Sequence, residues 1–223
     1  MKRLYMYRII SILFILLGLF GIYKYNTKEC LEINEIVNKN YVFLGDSITS
    51  IYNLNDVFKN ENIVNSGVSG NRVENILKNM NDRVYRYNPS DVIILVGVNN
   101  FLYENSSPDY VTKSIKKIVS EIHKKLPNCN IYIQSIYPVD KNVNEEHMKD
   151  EFPNMKILDT NKKLKKYCKE NNITYINVHD SLVNKDGYLD KEYTNDGLHP
   201  NEKGYEIITK IIKKEVFKEK KNN

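Results

Sequence analysis

Apolar residues along this chain fall into short continuous runs more often than into two-residue alternation. The segments YVFLG at 41–45, IVNSG at 63–67, DVIILVG at 91–97, NIYIQSI at 130–136 and ITYINV at 173–178 each read as a strand. Between them, apolar spacings of three and four residues predict helices at 71–86, 108–126, 154–169 and 201–218. In the second of these, Val111, Ile115, Ile118 and Ile122 form the apolar stripe. Strands buried on both faces lose the alternation that a half-exposed strand keeps, so such runs alternating with helices predict a parallel sheet covered on both sides. The expected class is α/β: a three-layer α/β/α, doubly wound, five-stranded parallel sheet. In sheets of this kind a ligand sits beyond the carboxyl ends of the strands, where the strand order reverses, so the loops after the strands are where chemistry is expected.

The first segment does not fit this rhythm. Lys2, Arg3 and Arg8 precede an apolar run at 9–23, IISILFILLGLFGIY, followed by Lys24. The run is apolar on every face and about fifteen residues long, against the ~20 that span a bilayer comfortably, with 4–7 able to extend it at the interface. No small-x-small cleavage site follows, so 1–24 is expected to be an uncleaved signal-anchor. The excess of positive charge before the run places the N-terminus in the cytoplasm and the rest outside the cell membrane, as a single-pass protein. A polar linker at 25–40, a domain at 41–218 and a polar tail at 219–223 complete the expected organisation.

Composition narrows the classes of function. The chain has 223 residues and a formal charge of +5, with Lys interspersed with Glu and no Arg-rich aromatic stripe, which argues against nucleic-acid binding. Three cysteines, Cys30, Cys129 and Cys168, are scattered without C-x-x-C spacing, and no His, Asp or Glu spacing of a metal site occurs. No metal and no cofactor are expected.

The strand ends carry the candidate chemistry. The first closes in Gly45-Asp46-Ser47-Ile48-Thr49, which places a serine at the carboxyl end of a strand, although Asp and Ser are also ordinary helix caps. The second runs into Asn65-Ser66-Gly67-Val68-Ser69-Gly70-Asn71, a loop whose backbone N–H groups can face a developing negative charge. Its spacing is neither G-x-G-x-x-G nor G-x-S-x-G, which disfavours a dinucleotide loop and Ser69 as a nucleophile. The third ends in Gly97-Val98-Asn99-Asn100, where a side-chain amide can donate into the same pocket or simply make a turn. Before the last helix comes Asp196-Gly197-Leu198-His199-Pro200, in which a carboxylate three residues before an imidazole can orient it, with Pro200 in the helix's first turn. His179 and Asp180, at the end of the fifth strand, form a rival pair. If both remain in the strand their side chains point to opposite faces. His123 and His147 lie in polar surroundings and are expected to face solvent.

These four blocks, GDSIT, GVSGN, GVNN and DGLHP, in this order and at these positions, resemble the signature blocks of the SGNH (GDSL-type) hydrolases. The resemblance covers roughly 40–217 and is strengthened by Asp159, Asn161, Tyr175 and Lys203-Gly204-Tyr205. It implies a flavodoxin-like arrangement and a small bacterial membrane-anchored serine esterase. Ser47 would be the nucleophile, His199 the base and Asp196 its orienting partner; the N–H groups of Ser47 and Gly70 and the Asn99 amide would form the oxyanion hole. Asp46, Asn100 and Tyr137 are further candidates for the pocket. The family's third block normally ends in Asp where this chain has Asn100, which is expected to remove a charge and a structural hydrogen bond. The implied substrate is an acyl ester, acetyl or another short acyl, on cell-wall polysaccharide or lipid at the outer membrane face. An O-acyltransferase acting on surface glycan and a non-catalytic carbohydrate-binding domain of the same fold stand as alternatives.

Overall fold

The computed structural model describes residues 39–59, 61–141, 143 and 153–217, together with 18, 20–25 and 28. Five strands form one parallel sheet: β1 (Tyr41–Gly45), β2 (Ile63–Gly67), β3 (Asp91–Leu95), β4 (Asn130–Gln134) and β5 (Thr174–Ile176), in the spatial order β2-β1-β3-β4-β5. Every residue of β1 and β3 is buried, as their unbroken apolar runs require of strands covered on both faces. The order reverses between β1 and β3, where the chain first steps to β2 and then returns across β1, and the crevice of a doubly wound sheet opens at such a point. Register aligns the relevant ends, because Gly45 of β1 pairs with Gly67 of β2 and with Leu95 of β3. The segments that follow these three residues therefore leave the sheet side by side.

The helices are α1 (Ser47–Ser50), α2 (Leu54–Val57), α3 (Val73–Lys78), α4 (Met80–Arg83), α5 (Val98–Glu104), α6 (Pro108–Lys125), α7 (Pro153–Glu170), α8 (His179–Leu182) and α9 (Glu202–Glu215). Helices α3, α6 and α7 pack side by side over one layer, as right-handed crossovers require of the β2–β3, β3–β4 and β4–β5 connections. α6 begins with Ser107, whose hydroxyl accepts from the Tyr110 N–H, and with Pro108 at its first position, where a missing N–H costs nothing. Its stripe of Val111, Ile115, Ile118 and Ile122 is fully buried, as its spacing predicts. On the other face, α9 is tied down by the Tyr205 hydroxyl, which donates to Ile48 O at 2.6 Å and stacks on Tyr52.

Three differences from the sequence reading matter for the site. The helix expected over 71–86 is broken into α3, α4 and a 3-10 turn, Tyr85–Tyr87, because Asn79 leaves helical geometry and bonds its amide back to Asn75 O at 2.9 Å. The third strand stops at Leu95, and the chain turns through Gly97 (φ 130°) directly into α5, a helix hidden in a stretch read as strand and turn. The fifth strand ends at Ile176, so His179 and Asp180 are not strand residues. The Ser135 hydroxyl accepts from the N–H groups of Val178 (2.9 Å) and His179 (2.8 Å) and turns the chain into α8.

Most of the expected anchor at 1–24, the linker and the tail lies outside the described residues. Residues 20–25 are helical and exposed. Among the described residues no helix is long and apolar enough to cross a membrane.

Candidate active site

Ser47 follows the Gly45 end of β1 and is the first residue of α1, which starts because the Asp46 carboxyl caps it, its Oδ1 accepting from the Ile48 N–H at 3.0 Å. The Ser47 hydroxyl lies 2.9 Å from Nε2 of His199, and Nδ1 of the same ring lies 2.6 Å from Oδ2 of Asp196. The distance of 152 residues between the serine and the imidazole is bridged by the fold.

The loop carrying Asp196 and His199 is organised around the carboxylate itself. Asp196 Oδ1 accepts from the N–H groups of Leu198 (2.9 Å) and His199 (2.8 Å), so one oxygen closes the turn while the other holds the ring. Gly197 sits between them at φ 85°, where an L side chain is strained and a Cβ would also lie 3.1 Å from Asp140 Cβ and Val143 Cα. Thr194 locks the turn from below. Its hydroxyl donates to His199 O at 2.8 Å and accepts from Gly197 N at 2.9 Å, and Thr194 and Pro200 form an isolated antiparallel bridge. Asn201, not Pro200, then caps α9 through Gly204 N. Partial burial alone would raise the Asp196 carboxyl, but the hydrogen bonds from the His199 ring and the two backbone N–H groups, together with the imidazole charge, outweigh it and hold the carboxyl at about 2. A carboxylate ionised at all ordinary pH values fixes the ring with Nδ1 protonated, leaving Nε2 to accept the Ser47 proton.

Opposite the imidazole stands the loop after β2. Gly70 adopts φ 73°, a conformation open to glycine, with no atom within 4 Å of a Cβ built there. The Asn99 amide, from the first turn of α5, donates to Asn71 O at 3.0 Å, which leaves its second N–H for another acceptor. Ser47, Gly70 and Asn99 line one open cleft of about 420 Å³ with Ser69, Asp196 and His199, and Ile51, Tyr103 and Leu198 give it an apolar wall. The serine, imidazole, carboxylate and two groups of donors thus face a common space, the arrangement that acyl transfer through a serine requires.

Asp46, Asn100 and Tyr137 are not in the lining of this cleft. Asp46 is buried beneath Ser47 with Oδ2 unpartnered. Burial raises its carboxyl to about 7, against the opposing effects of the Ile48 N–H and the His199 charge. Tyr137 is buried and donates to Gln134 Oε1 at 2.6 Å. Asn100 is wholly buried under the Gly70 loop, where its Oδ1 accepts from Val73 N at 3.1 Å and its Nδ2 donates to Glu74 Oε2 at 3.0 Å. Asn100 thus makes two side-chain hydrogen bonds of its own at the position where the family's block normally carries Asp. The rival histidine is 4% exposed, its Nδ1 lies 3.1 Å from Asp180 Oδ1, and its Nε2 meets no partner. His123 is exposed, as expected, whereas His147 lies outside the described residues.

The sequence reading missed Arg83. It is buried, and its guanidinium donates to Ser66 Oγ (Nε, 3.0 Å), Gly45 O (2.9 Å), Asn71 Oδ1 (2.6 Å) and Ser66 O, while Ser66 Oγ donates back to Arg83 O at 2.8 Å. One side chain thereby ties the end of β1 to the loop carrying Gly70. An arginine in a polar helix pattern gives no sign of this, because the same spacing serves a solvated one. Cys129 and Cys168 are buried free thiols, raised by burial to about 12 and about 11, too high to be nucleophiles, and Cys30 lies outside the described residues. Among the described residues no group of three His, Cys, Asp or Glu side chains is placed to hold a metal ion.

Comparison with known proteins bears on the family and the fold. The family described as GDSL-like Lipase/Acylhydrolase matches residues 43–207. Among solved structures, a protein of Streptococcus pneumonia is similar at 28% identity and TM-score 0.70, with 78% of this chain and 82% of that one covered. A GDSL-like lipase from Bacteroides thetaiotaomicron is similar at 25% identity and TM-score 0.74, covering 81% and 88%. An acetylxylan esterase from Geobacillus stearothermophilus shares the fold at 17% identity and TM-score 0.62, covering 80% and 94%. No curated protein matches the chain. With three quarters of its length matched by the family and the family's blocks gathered around one cleft, the chain belongs to the GDSL-like lipase/acylhydrolase family of ester hydrolases.

Proposed function

We propose that this protein hydrolyses short O-acyl esters, acetyl foremost, through an acyl-Ser47 intermediate. The observation that carries the reading is the continuous relay from Ser47 Oγ through His199 to Asp196, 2.9 and 2.6 Å long, at the floor of a cleft whose opposite side presents Gly70 and Asn99. Ser47 Oγ attacks the ester carbonyl carbon as its proton passes to His199 Nε2. The carbonyl oxygen, now negative, is received by the N–H groups of Ser47 and Gly70 and by the Asn99 amide. Collapse breaks the bond to the alcohol oxygen, which takes the proton from Nε2. Water then repeats the sequence: its oxygen attacks the acyl carbon as its proton passes to His199 Nε2, and collapse breaks the bond to Ser47 Oγ, which takes that proton back as the carboxylic acid leaves. A cleft of about 420 Å³ with a small apolar wall suits a short acyl group, and its open mouth suits an alcohol attached to something larger, such as an acetylated wall polysaccharide. The basic and apolar N-terminal sequence supports action at the outer face of the cell membrane.

The test uses p-nitrophenyl esters of increasing chain length and stoichiometric labelling by a fluorophosphonate. Hydrolysis greatest for acetyl or propionyl, with labelling lost in Ser47→Ala, is the expected result. Absence of labelling in the folded wild-type protein overturns the proposal and leaves a binding domain. Faster acyl transfer to an added glycan than to water would make the protein an acyltransferase.

A further inference from the structure

Two neighbouring amides on α5 hold the Gly70 loop, and they do so differently. Asn99 reaches the loop through Asn71 O, while Asn100 holds the segment just beyond it, Val73–Glu74, at the start of α3. The Asn100 side chain is wholly buried, and its two ends are not interchangeable there. The Val73 N–H needs an acceptor and the Glu74 carboxylate needs a donor, so only one orientation of the amide satisfies both. Glu74 in turn lies 3.0 Å from Arg72 Nε, an ion pair not aligned as a hydrogen bond, and Arg72 also pairs with Glu104 at the far end of α5.

From this geometry we propose that Glu74 is a positioning residue for the oxyanion hole: by accepting from Asn100 it sets the amide that holds Val73, and through Val73 it fixes the loop bearing Gly70. The inference rests on the esterase reading of the site. Its chemical content is a matched pair. Asn is required at position 100 because Glu stands at 74; an aspartate at 100 would still accept from Val73 but would set a second carboxylate about 3 Å from the first, which disfavours keeping both ionised. With Glu74 replaced by Gln, the same aspartate would again receive a donor. Asn100 therefore need not mark a loss of function, because in this chain the carboxylate of the network stands at position 74.

The experiment measures kcat and KM for p-nitrophenyl acetate, thermal unfolding, and the backbone amide resonances of Gly70 and Val73 in Asn100→Asp, Glu74→Ala and the double variant Asn100→Asp/Glu74→Gln. A displaced oxyanion donor should cost less than the ~100- to 1,000-fold of a deleted one, so Asn100→Asp and Glu74→Ala are expected to lose about tenfold in kcat with little change in KM. The double variant should recover most of the loss, and both amide resonances should return toward their wild-type positions. Wild-type kcat in Asn100→Asp, or a double variant no better than Asn100→Asp alone, overturns the proposal. If Asn100→Asp does not fold, the comparison of Glu74→Ala with wild type decides it: unchanged kcat and an unmoved Gly70 resonance overturn it. A wild-type protein that hydrolyses no ester overturns the function proposed above. The Gly70 and Val73 resonances then still decide the role of Glu74: displacement in Asn100→Asp and return in the double variant support it, and any other pattern refutes it.

Discussion

Arg83 donates from its buried guanidinium to the carbonyl of Gly45, 38 residues earlier, at 2.9 Å, and so joins the strand end that carries Ser47 to the loop that carries Gly70. Burial lowers its basicity, but an arginine remains charged, and its fork matches several acceptors at once. Arg83→Ala would leave Ser66 O and Asn71 Oδ1 without this donor inside the protein. The expected cost is about 2–4 kcal/mol of unfolding free energy, measured by denaturant titration, with turnover reduced as well. Arg83→Lys should recover only part of it, since an ammonium cannot span the same acceptors. Unaltered stability in Arg83→Ala would mean that water replaces the network.

Asn99→Ala removes the amide donor facing Ser47 together with its bond to Asn71 O. Turnover should fall by ~100- to 1,000-fold while the protein stays folded by circular dichroism. Turnover close to wild type would show that the oxyanion is received elsewhere.

The two buried or half-buried histidines separate cleanly. His199→Ala should abolish ester hydrolysis, and Asp196→Ala should reduce it less, because the His199 ring keeps its bond to Ser47 in one of its orientations. His179→Ala removes a ring packed at 4% exposure beside Asp180, so its expected effect is lower stability with turnover per folded molecule retained. Activity lost in His179→Ala at unchanged stability would reverse the assignment.

The fold and the four blocks were legible because they rest on local signals: fully buried strands show unbroken apolar runs, and Gly or Asn appears where a turn needs it. α5 was hidden for a physical reason. Its seven residues, VNNFLYE, bury Val98 through Leu102, so no polar face gives it a helical period. Asp46 and Asn100 carry the polar letters of a binding pocket yet lie beneath it, because a buried cap and a buried loop clamp need the same side chains as a ligand site. Arg83 and the Glu74–Asn100 pair depend on contacts between distant segments, which a linear pattern does not record.

Asp46 offers a prediction in which the sign can be worked out. Its carboxyl is raised by burial from the ordinary value of 3.8 to about 7 in the folded protein. Below the unfolded value the group is protonated in both states, and the folded protein has the full benefit of a neutral side chain in a buried site. Between the two values the unfolded chain ionises while the folded protein keeps its proton, so stability falls as pH rises, by up to about 1.4 kcal/mol per pH unit. Above the folded value both states are ionised and the difference is constant. Asp46→Asn can still cap Ile48 but cannot ionise, so it lacks this slope, and subtracting its stability from that of wild type cancels the contributions of Asp180 and Asp196, whose carboxyls are lowered. The unfolding free energy of wild type minus that of Asp46→Asn should therefore decline from about pH 4 to about pH 7 and then level off. A difference that rises over this range would mean that the folded protein stabilises the Asp46 anion, with the His199 charge dominating burial, and would refute the assignment of Asp46 as a buried neutral acid beneath Ser47.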